Sequence, residues 1–297
     1  MGKTARIKGD LDDVEALLEI INVLKDVSTN RFFAFAQRKA DFAKFLEIFL
    51  IFFNMLESTD TSCPLVRNNN PGTDLLMISS EMAFMSQLNS RVCSATVAES
   101  KKFPSAQIVV VGFRGEEKLR SMGVNPHKVY RDLDNWDHYE LALQIRDFLI
   151  DRIMTGASGR CLCIYIWPKS FNILKPRVIT LLPAEELLGG ADEGSGEGGA
   201  KKQTRFRYQG RDFIAESRID GIMKVLADIW VSSRLFEVLS DTKLAEAASQ
   251  AQQLEQAIEG LNKEKKELTV AFKKSGRDDL NKAMREVFSA SSVVKRR

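Results

Sequence analysis

Apolar side chains recur in alternating steps of three and four at both ends of this chain. The first series runs Leu11, Val14, Leu18, Ile21, Lys25, Ser28, Phe32, Phe35, Lys39, Phe42, Leu46, Phe49, Phe53, Leu56. The second runs Leu244, Ala247, Ala251, Leu254, Ile258, Leu261, Lys265, Leu268, Phe272. A 3.5-residue repeat places such residues on one seam of a helix, and the seam must be buried against a partner helix. At 1.5 Å per residue the first segment would be about 70 Å long. The layout predicts a paired-helix shaft with a compact domain inserted between its two strands. Because the chain enters and leaves the same domain, the helices should pair antiparallel, with Phe35, Phe42 and Phe49 facing apolar C-terminal residues. Beyond Phe272 the seam steps by fours through Gly276 to Leu280, then Met284 and Val287. That departure relaxes the supercoil and predicts that the last turns leave the two-helix partnership.

Between the two series the period changes. The first helix should start near Asp10, a good N-cap, and end before Ser58 and the turn-rich Cys63–Gly72 stretch. Leu75–Ser79 reads as a buried strand, Ala83–Glu99 as a helix, and Ala106–Val111 as a second strand ended by Gly112. Glu116–Met122 reads as a short helix closed by Gly123, and Asp137–Thr155 as an amphipathic helix closed by Gly156. Cys161–Trp167 and Arg177–Leu182 form a strand pair separated by Pro168 and Pro176. Strands alternating with helices predict an α/β domain in two or three layers. Gly189–Ala200, glycine with scattered acids, predicts a disordered loop. A short strand at Arg205–Tyr208 follows, then helix from about Ser217.

Composition narrows the function classes. Among 297 residues, 44% are hydrophobic and 28% charged, with a net charge of +3, which gives no electrostatic footprint for nucleic acid. No signal peptide is visible, and acids in the first turns argue against a mitochondrial presequence. The Phe42–Phe53 aromatic run is interrupted by Lys44 and Glu47, far short of the roughly 20 apolar residues that cross a bilayer. Cys63, Cys93, Cys161 and Cys163 lack metal-ligand spacing and fit a reducing compartment better than a disulfide framework; Cys161 and Cys163 should face one side of a strand.

No catalytic constellation emerges. Gly112-Phe113-Arg114-Gly115 after a strand is half of a dinucleotide fingerprint, without the third glycine, and reads more simply as a strand-to-helix turn. His127 and His138 lie far from any cysteine in sequence. Asp132, Asp134 and Asp137 lack the glycine and distal glutamate of a calcium loop, and Ser79-Ser80 lacks the glycines of a nucleophile elbow. Lys3, Arg6 and Lys8 could form a basic collar with Lys295, Arg296 and Arg297, or simply solvate two helix ends. Lys25, Lys39 and Lys265 occupy seam positions, where polar residues fix register or reach past the edge to water.

Several segments resemble, in order and spacing, the gamma subunit of rotary F-type ATP synthases. Ile20–Val27 is similar to that family's "ITKAMKMVA" helix, Ser80–Asn89 to "SDRGLCGGLN", and Ile108–Gly115 to the "iviGrKG" strand and turn. Cys161–Trp167 with Lys169-Ser170-Phe171 and Leu181-Leu182-Pro183 resembles the paired strands ending in "LLP", and Glu267–Lys274 parallels "ELTLEYNK". The chain departs from the pattern at Ala83, Ser86 and Gln87, where the family has glycines. It departs again at Ser275–Asn281, in place of "ARQAAIT", and in its extra acidic glycine loop.

The resemblance implies an α/β fold plus a long antiparallel coiled coil. The organisation expected is an N-terminal coiled-coil helix over 1–58, a central Rossmann-like α/β domain over 73–216 with a disordered loop at 189–204, and a C-terminal coiled-coil helix over 217–297. It implies a non-catalytic rotor shaft without a cofactor or metal. The implied partners are the alpha and beta subunits of the catalytic hexamer, an epsilon-type stalk subunit and the membrane rotor ring, in a peripheral complex on the cytoplasmic face of a bacterial inner membrane. By position, Lys8, Lys25, Arg277, Asp278, Asp279 and Arg285 are the expected contacts to the catalytic ring, and Arg114, Glu116 and Glu117 those to the rotor ring. Two other readings stand beside this one: a coiled-coil adaptor with an α/β head, and an α/β enzyme with helical extensions, the latter lacking any phosphate loop or acid–base pair.

Overall fold

The computed structural model describes residues 3–56, 63–82, 85–131, 138–184 and 218–294, with side chains for all of these but 40–56, 219 and 289–294. The Gly189–Ala200 loop, the Arg205–Tyr208 strand, Asp132, Asp134, Asp137, the terminal Lys295-Arg296-Arg297 and the packing of Phe42 and Phe49 lie outside the described residues. Helix α1 spans Lys3–Leu56 and helix α5 spans Ile219–Val294. The chain divides into two compact units, residues 1–30 with 250–297, and residues 31–249.

In the first unit the two helices pair antiparallel. Glu15 meets Lys265 at 2.9 Å, Lys25 meets Glu255 at 2.7 Å, and Thr4 meets Ser275 at 2.6 Å, so positions rise on one helix as they fall on the other. The seam is apolar where it is most buried: Val14, Leu18 and Ile258 form its core, with Ile21, Leu261 and Leu268 packed against them. Helix α1 begins at Lys3, earlier than the expected Asp10. The heptad continues back through Ile7 and Thr4, both half-buried, so partner contact rather than the cap residue decides where this helix starts.

The second unit holds a five-stranded sheet ordered β3-β2-β1-β4-β5. Its strands are β1 (Thr73–Ile78), β2 (Gln107–Val111), β3 (Lys128–Tyr130), β4 (Arg160–Ser170) and β5 (Ile173–Leu182). The first four in spatial order run parallel, and β5 returns antiparallel to β4. Central strand β1 is buried throughout, and its alternate residues divide the core. Leu76 and Ile78 share one cluster with Ile145 and Leu149 of α4 (His138–Met154) and Met223, Val231 and Leu235 of α5. Leu75 and Met77 share another with Leu88 and Val92 of α2 (Ser86–Lys102) and Leu119 of α3 (Phe113–Ser121). This is a three-layer α/β domain, and Cys161 and Cys163 do face one side together.

Several boundaries differ from the sequence expectation, each for a local reason. Pro168 and Pro176 do not separate the strands; they lie inside β4 and β5, paired with Leu174 and Ile166. Strand β1 pairs β4 only as far as Ile164, and β5 is the sheet edge, so a missing N–H there breaks no ladder. Helix α2 starts at Ser86, not Ala83. The Asn89 amide accepts from the Ser80 N–H and donates to the Ser80 carbonyl, both at 2.9 Å, which fixes Ser80 against the first turn of the helix. Helix α3 starts at Phe113, not Glu116, because Gly112 turns at φ +99° straight into it. Strand β3 was not read from the sequence at all; three residues carry no measurable alternation.

Candidate functional site

The expected contact residues fall into two groups, one in each unit. In the helix pair, Lys8, Arg277, Asp278 and Arg285 are exposed. Asp279 accepts a hydrogen bond from the Thr4 hydroxyl, which also meets Ser275, so one threonine ties the start of α1 to α5. Lys25 is engaged by Glu255, whose carboxylate raises the lysine pKa. Neither Thr4 nor Ser275 was on the seam read from the sequence.

Burial on α5 ends at Ser275 and Gly276, opposite the first turn of α1. Every residue from 277 to 288 is exposed, including Leu280, Met284, Val287 and Phe288 at 66%, 60%, 68% and 72%. The sequence expectation that the last turns leave the partnership is met. Their four-, three- and one-residue steps put these four side chains on a single exposed face of α5.

In the α/β unit, the Gly112–Gly115 turn is explained by packing. A Cβ on Gly115 would stand 2.1 Å from the Ser79 Oγ and 2.5 Å from the Ser79 Cβ, and one on Gly112 would stand 2.7 Å from the Ser79 carbonyl oxygen. The glycines let α3 lie against the end of β1, where the Ser79 hydroxyl donates to the Val111 carbonyl at 2.7 Å. The N-terminus of α3, where a dinucleotide phosphate would sit, receives a carboxylate of the chain itself. Glu81 Oε1 accepts from the Phe113 N–H at 3.2 Å. Arg114 donates from Nε to the Glu81 carbonyl at 2.8 Å and stacks over Phe113. Glu116 is buried between Arg120 at 2.8 Å and Arg131 at 3.2 Å, which leaves Glu117 as the exposed acid of this turn. Glu81 was missed by sequence reasoning, since its partner lies thirty-two residues away.

Further charged groups are buried in this unit, among them Asp74 and Asp241. Asp74 of β1 forms a bidentate pair with Arg152 of α4 at 2.7 and 2.8 Å. Asp241 of α5, 1% exposed, pairs with Lys39 of α1, and its second oxygen has no hydrogen-bond partner. Burial pushes the Asp241 carboxyl up to about 6, against the opposing pull of Lys39. The four thiols are buried, Cys93 being pushed up to about 11 by desolvation, and none is set up as a nucleophile. Among the described residues no cluster of His, Cys, Asp and Glu could hold a metal ion.

Comparison with known proteins assigns the chain that holds this helix pair and this three-layer α/β unit. The family profile described as ATP synthase matches residues 3–293. The chain belongs to the ATP synthase gamma-chain family. The ATP synthase gamma chain of Halothermothrix orenii is 22% identical over 233 residues, covering 78% of this chain and 77% of that protein. That of Lachnoclostridium phytofermentans is 20% identical over 298 residues, covering 99% and 100%. A chain in the Tetrahymena thermophila mitochondrial ATP synthase central stalk and c-ring superposes with a TM-score of 0.56 at 17% identity, covering 80% of this chain and 99% of that one. Another, in the Euglena gracilis mitochondrial ATP synthase, gives 0.59 at 10% identity, covering 98% and 94%. At such identities the likeness establishes the gamma-chain fold. The family's strand-and-turn motif is therefore, in this chain, the Gly112/Gly115 seat for Ser79.

Proposed function

We propose that this chain is the central-stalk rotor subunit of an F-type ATP synthase and carries no catalytic residue of its own. The observation that carries the reading is the end of α5 beyond Gly276, which presents Leu280, Met284 and Val287 as exposed side chains. An exposed apolar face of that kind marks an interaction site. The partner proposed is the ring of alternating alpha and beta subunits, with Lys8, Arg277, Asp278 and Arg285 as exposed polar contacts around the apolar end. Asp279 belongs to the Thr4 tie and Lys25 to the Glu255 pair, so both serve the shaft before they serve a partner. Around α3 the exposed Arg114 and Glu117 are proposed to meet the membrane rotor ring, with an epsilon-type subunit beside it, and Glu116 positions Arg120 and Arg131. No described helix is long and apolar enough to cross a membrane, in keeping with a peripheral place in the complex. We place it in a peripheral membrane complex, on the cytoplasmic face of a bacterial inner membrane.

The mechanism needs only an asymmetric shaft. Three chemically equivalent sites acquire different affinities when each touches a different side of the rotor, because only differential contact shifts an equilibrium. Rotation then carries each site through the series. The test is ATP-driven ion pumping in the reconstituted complex with Arg277→Glu and Asp278→Lys introduced together. Coupled pumping should fall while the isolated subunit keeps its circular dichroism spectrum. Normal assembly with unchanged coupling would remove these residues from the torque contacts, and purification without ATPase subunits would favour an adaptor instead.

A further inference from the structure

Within the α/β unit, helix α1 meets α5 through an aromatic and a charge. Between Arg31 and Lys39 the half-buried residues are Phe32, Phe35, Ala36 and Lys39, whose steps of three, one and three put them on one helix face. Phe32 packs in the cluster that holds Leu174, Ala245 and Ala248, and its ring meets that of Phe171 edge-on at 5.1 Å. Two turns further along, the apolar face gives way to Lys39, which reaches Asp241.

The stretch of α5 that receives this charge has no open side. Residues 241–249 are all buried, so Asp241 is closed in by its neighbours on every element around it. Among the described residues, Lys39 faces it from α1, Tyr165 from β4, Arg177 from β5 and Glu237 from the preceding turn of α5. Tyr165 and Arg177 are cross-strand partners, and burial raises the tyrosine pKa, so its hydroxyl keeps its proton. Arg177 stacks over Trp167, and Glu237 is engaged by Arg234 at 2.8 Å. Lys39 alone bonds the Asp241 carboxylate, whose other oxygen has no hydrogen-bond partner. A carboxylate enclosed with half of its acceptor capacity unused is costly to keep charged, whereas the neutral acid is not.

We propose that Asp241 is a proton-operated latch for α1: acidification tightens the grip of α1 on α5 within the α/β unit, and a rise in pH loosens it. The direction is set by where the proton is held more tightly. With α1 docked, desolvation raises the Asp241 carboxyl to about 6 against the pull of Lys39. With α1 lifted away, water reaches the carboxyl, which returns towards the ordinary 3.8. The docked form therefore binds the proton better, and linkage favours docking as the pH falls through 6. Between about pH 7.5 and about pH 5 the docking equilibrium shifts about tenfold. Lys39 sets the threshold, because its charge opposes protonation. The latch concerns the α/β unit alone and is independent of the rotor assignment.

The test is hydrogen exchange of the full chain, read by mass spectrometry on peptides covering Phe33–Lys39 across that pH range and corrected for intrinsic rates. Protection should be about tenfold greater at the acid end, with the profile breaking near pH 6. Low urea should barely accelerate this exchange, as befits a local opening. Asp241→Asn should flatten the profile, and Lys39→Met should move the break to higher pH. A flat wild-type profile, a profile that persists in Asp241→Asn, or a break unmoved by Lys39→Met would overturn the proposal. So would urea accelerating these amides as steeply as those of β1, which would mean that the whole unit opens at once. The wild-type profile needs no substitution, so a variant that fails to fold leaves the test intact, and failure of the latch leaves the rotor reading untouched.

Discussion

Replacing Gly115 by alanine adds one methyl group at a place with no room for it. That carbon would stand 2.1 Å from the Ser79 Oγ, 2.5 Å from the Ser79 Cβ and 2.9 Å from the Met77 Cε. The methionine can swing away and the hydroxyl can rotate, but the Ser79 Cβ is fixed by its backbone. Helix α3 must therefore lift from β1 by about 1 Å, since ordinary carbon contacts are about 3.5 Å or more. Overpacking of this kind costs about 1–3 kcal/mol, and loss of the bond from Ser79 to Val111 adds about 1 kcal/mol. The expected cost is about 2–4 kcal/mol, read as a lower urea midpoint of tryptophan fluorescence, Trp167 and Trp230 both belonging to this unit. The matched control is Gly260→Ala on α5, where a Cβ meets nothing within 4 Å; there the same methyl should stabilise by up to about 1 kcal/mol. Ser79→Gly removes both clashing atoms and should rescue Gly115→Ala in a double-mutant cycle. A Gly115→Ala midpoint equal to wild type, or no rescue, would refute the packing account and reopen a ligand role for this turn.

Other expectations follow from the charges and the helix pair. The Asp241 carboxyl sits at about 6 in the folded protein, above its unfolded value, so folding favours its protonated form. Its contribution is complete below about pH 4 and lost as the pH rises through about 6, worth about 3 kcal/mol; Asp241→Asn should flatten that dependence in urea titrations at successive pH values. Lys39 is 29% exposed and can keep its charge in water, so the asparagine variant should also be no less stable than wild type at pH 7. Leu18→Ala, in the buried seam of the helix pair, should cost about 2–4 kcal/mol by thermal melting. Lys25→Ala should leave the melting temperature essentially unchanged, the pair with Glu255 being exposed. Serine at Leu280, Met284 and Val287 should leave the melt of the isolated chain within about 0.5 kcal/mol and weaken assembly with the catalytic subunits, scored by co-purification.

What the sequence determined was whatever repeats along it. The three-and-four spacing from Leu11 to Lys39 and from Leu244 to Phe272 specified two helices and the seam they share, because period alone dictates which face is buried. The same rule located β1, β2, β4 and β5 and the departure of α5 from the pair after Gly276. The order of short motifs named the family, which no single motif could do. Tertiary structure decided what depends on groups distant in the chain. Glu81 reaches the N-terminus of α3, Asn89 holds Ser80, and Ser79 makes Gly115 obligatory, none of which has a period or a spacing to detect. Which acids are spent inside the fold was equally hidden: Glu116 is buried between two arginines while its neighbour Glu117 is exposed, and Asp279 is tied to Thr4 while Asp278 is exposed. Adjacent residues of one charge look alike in a sequence, and only the packing of neighbouring elements makes one a brace and the other a contact.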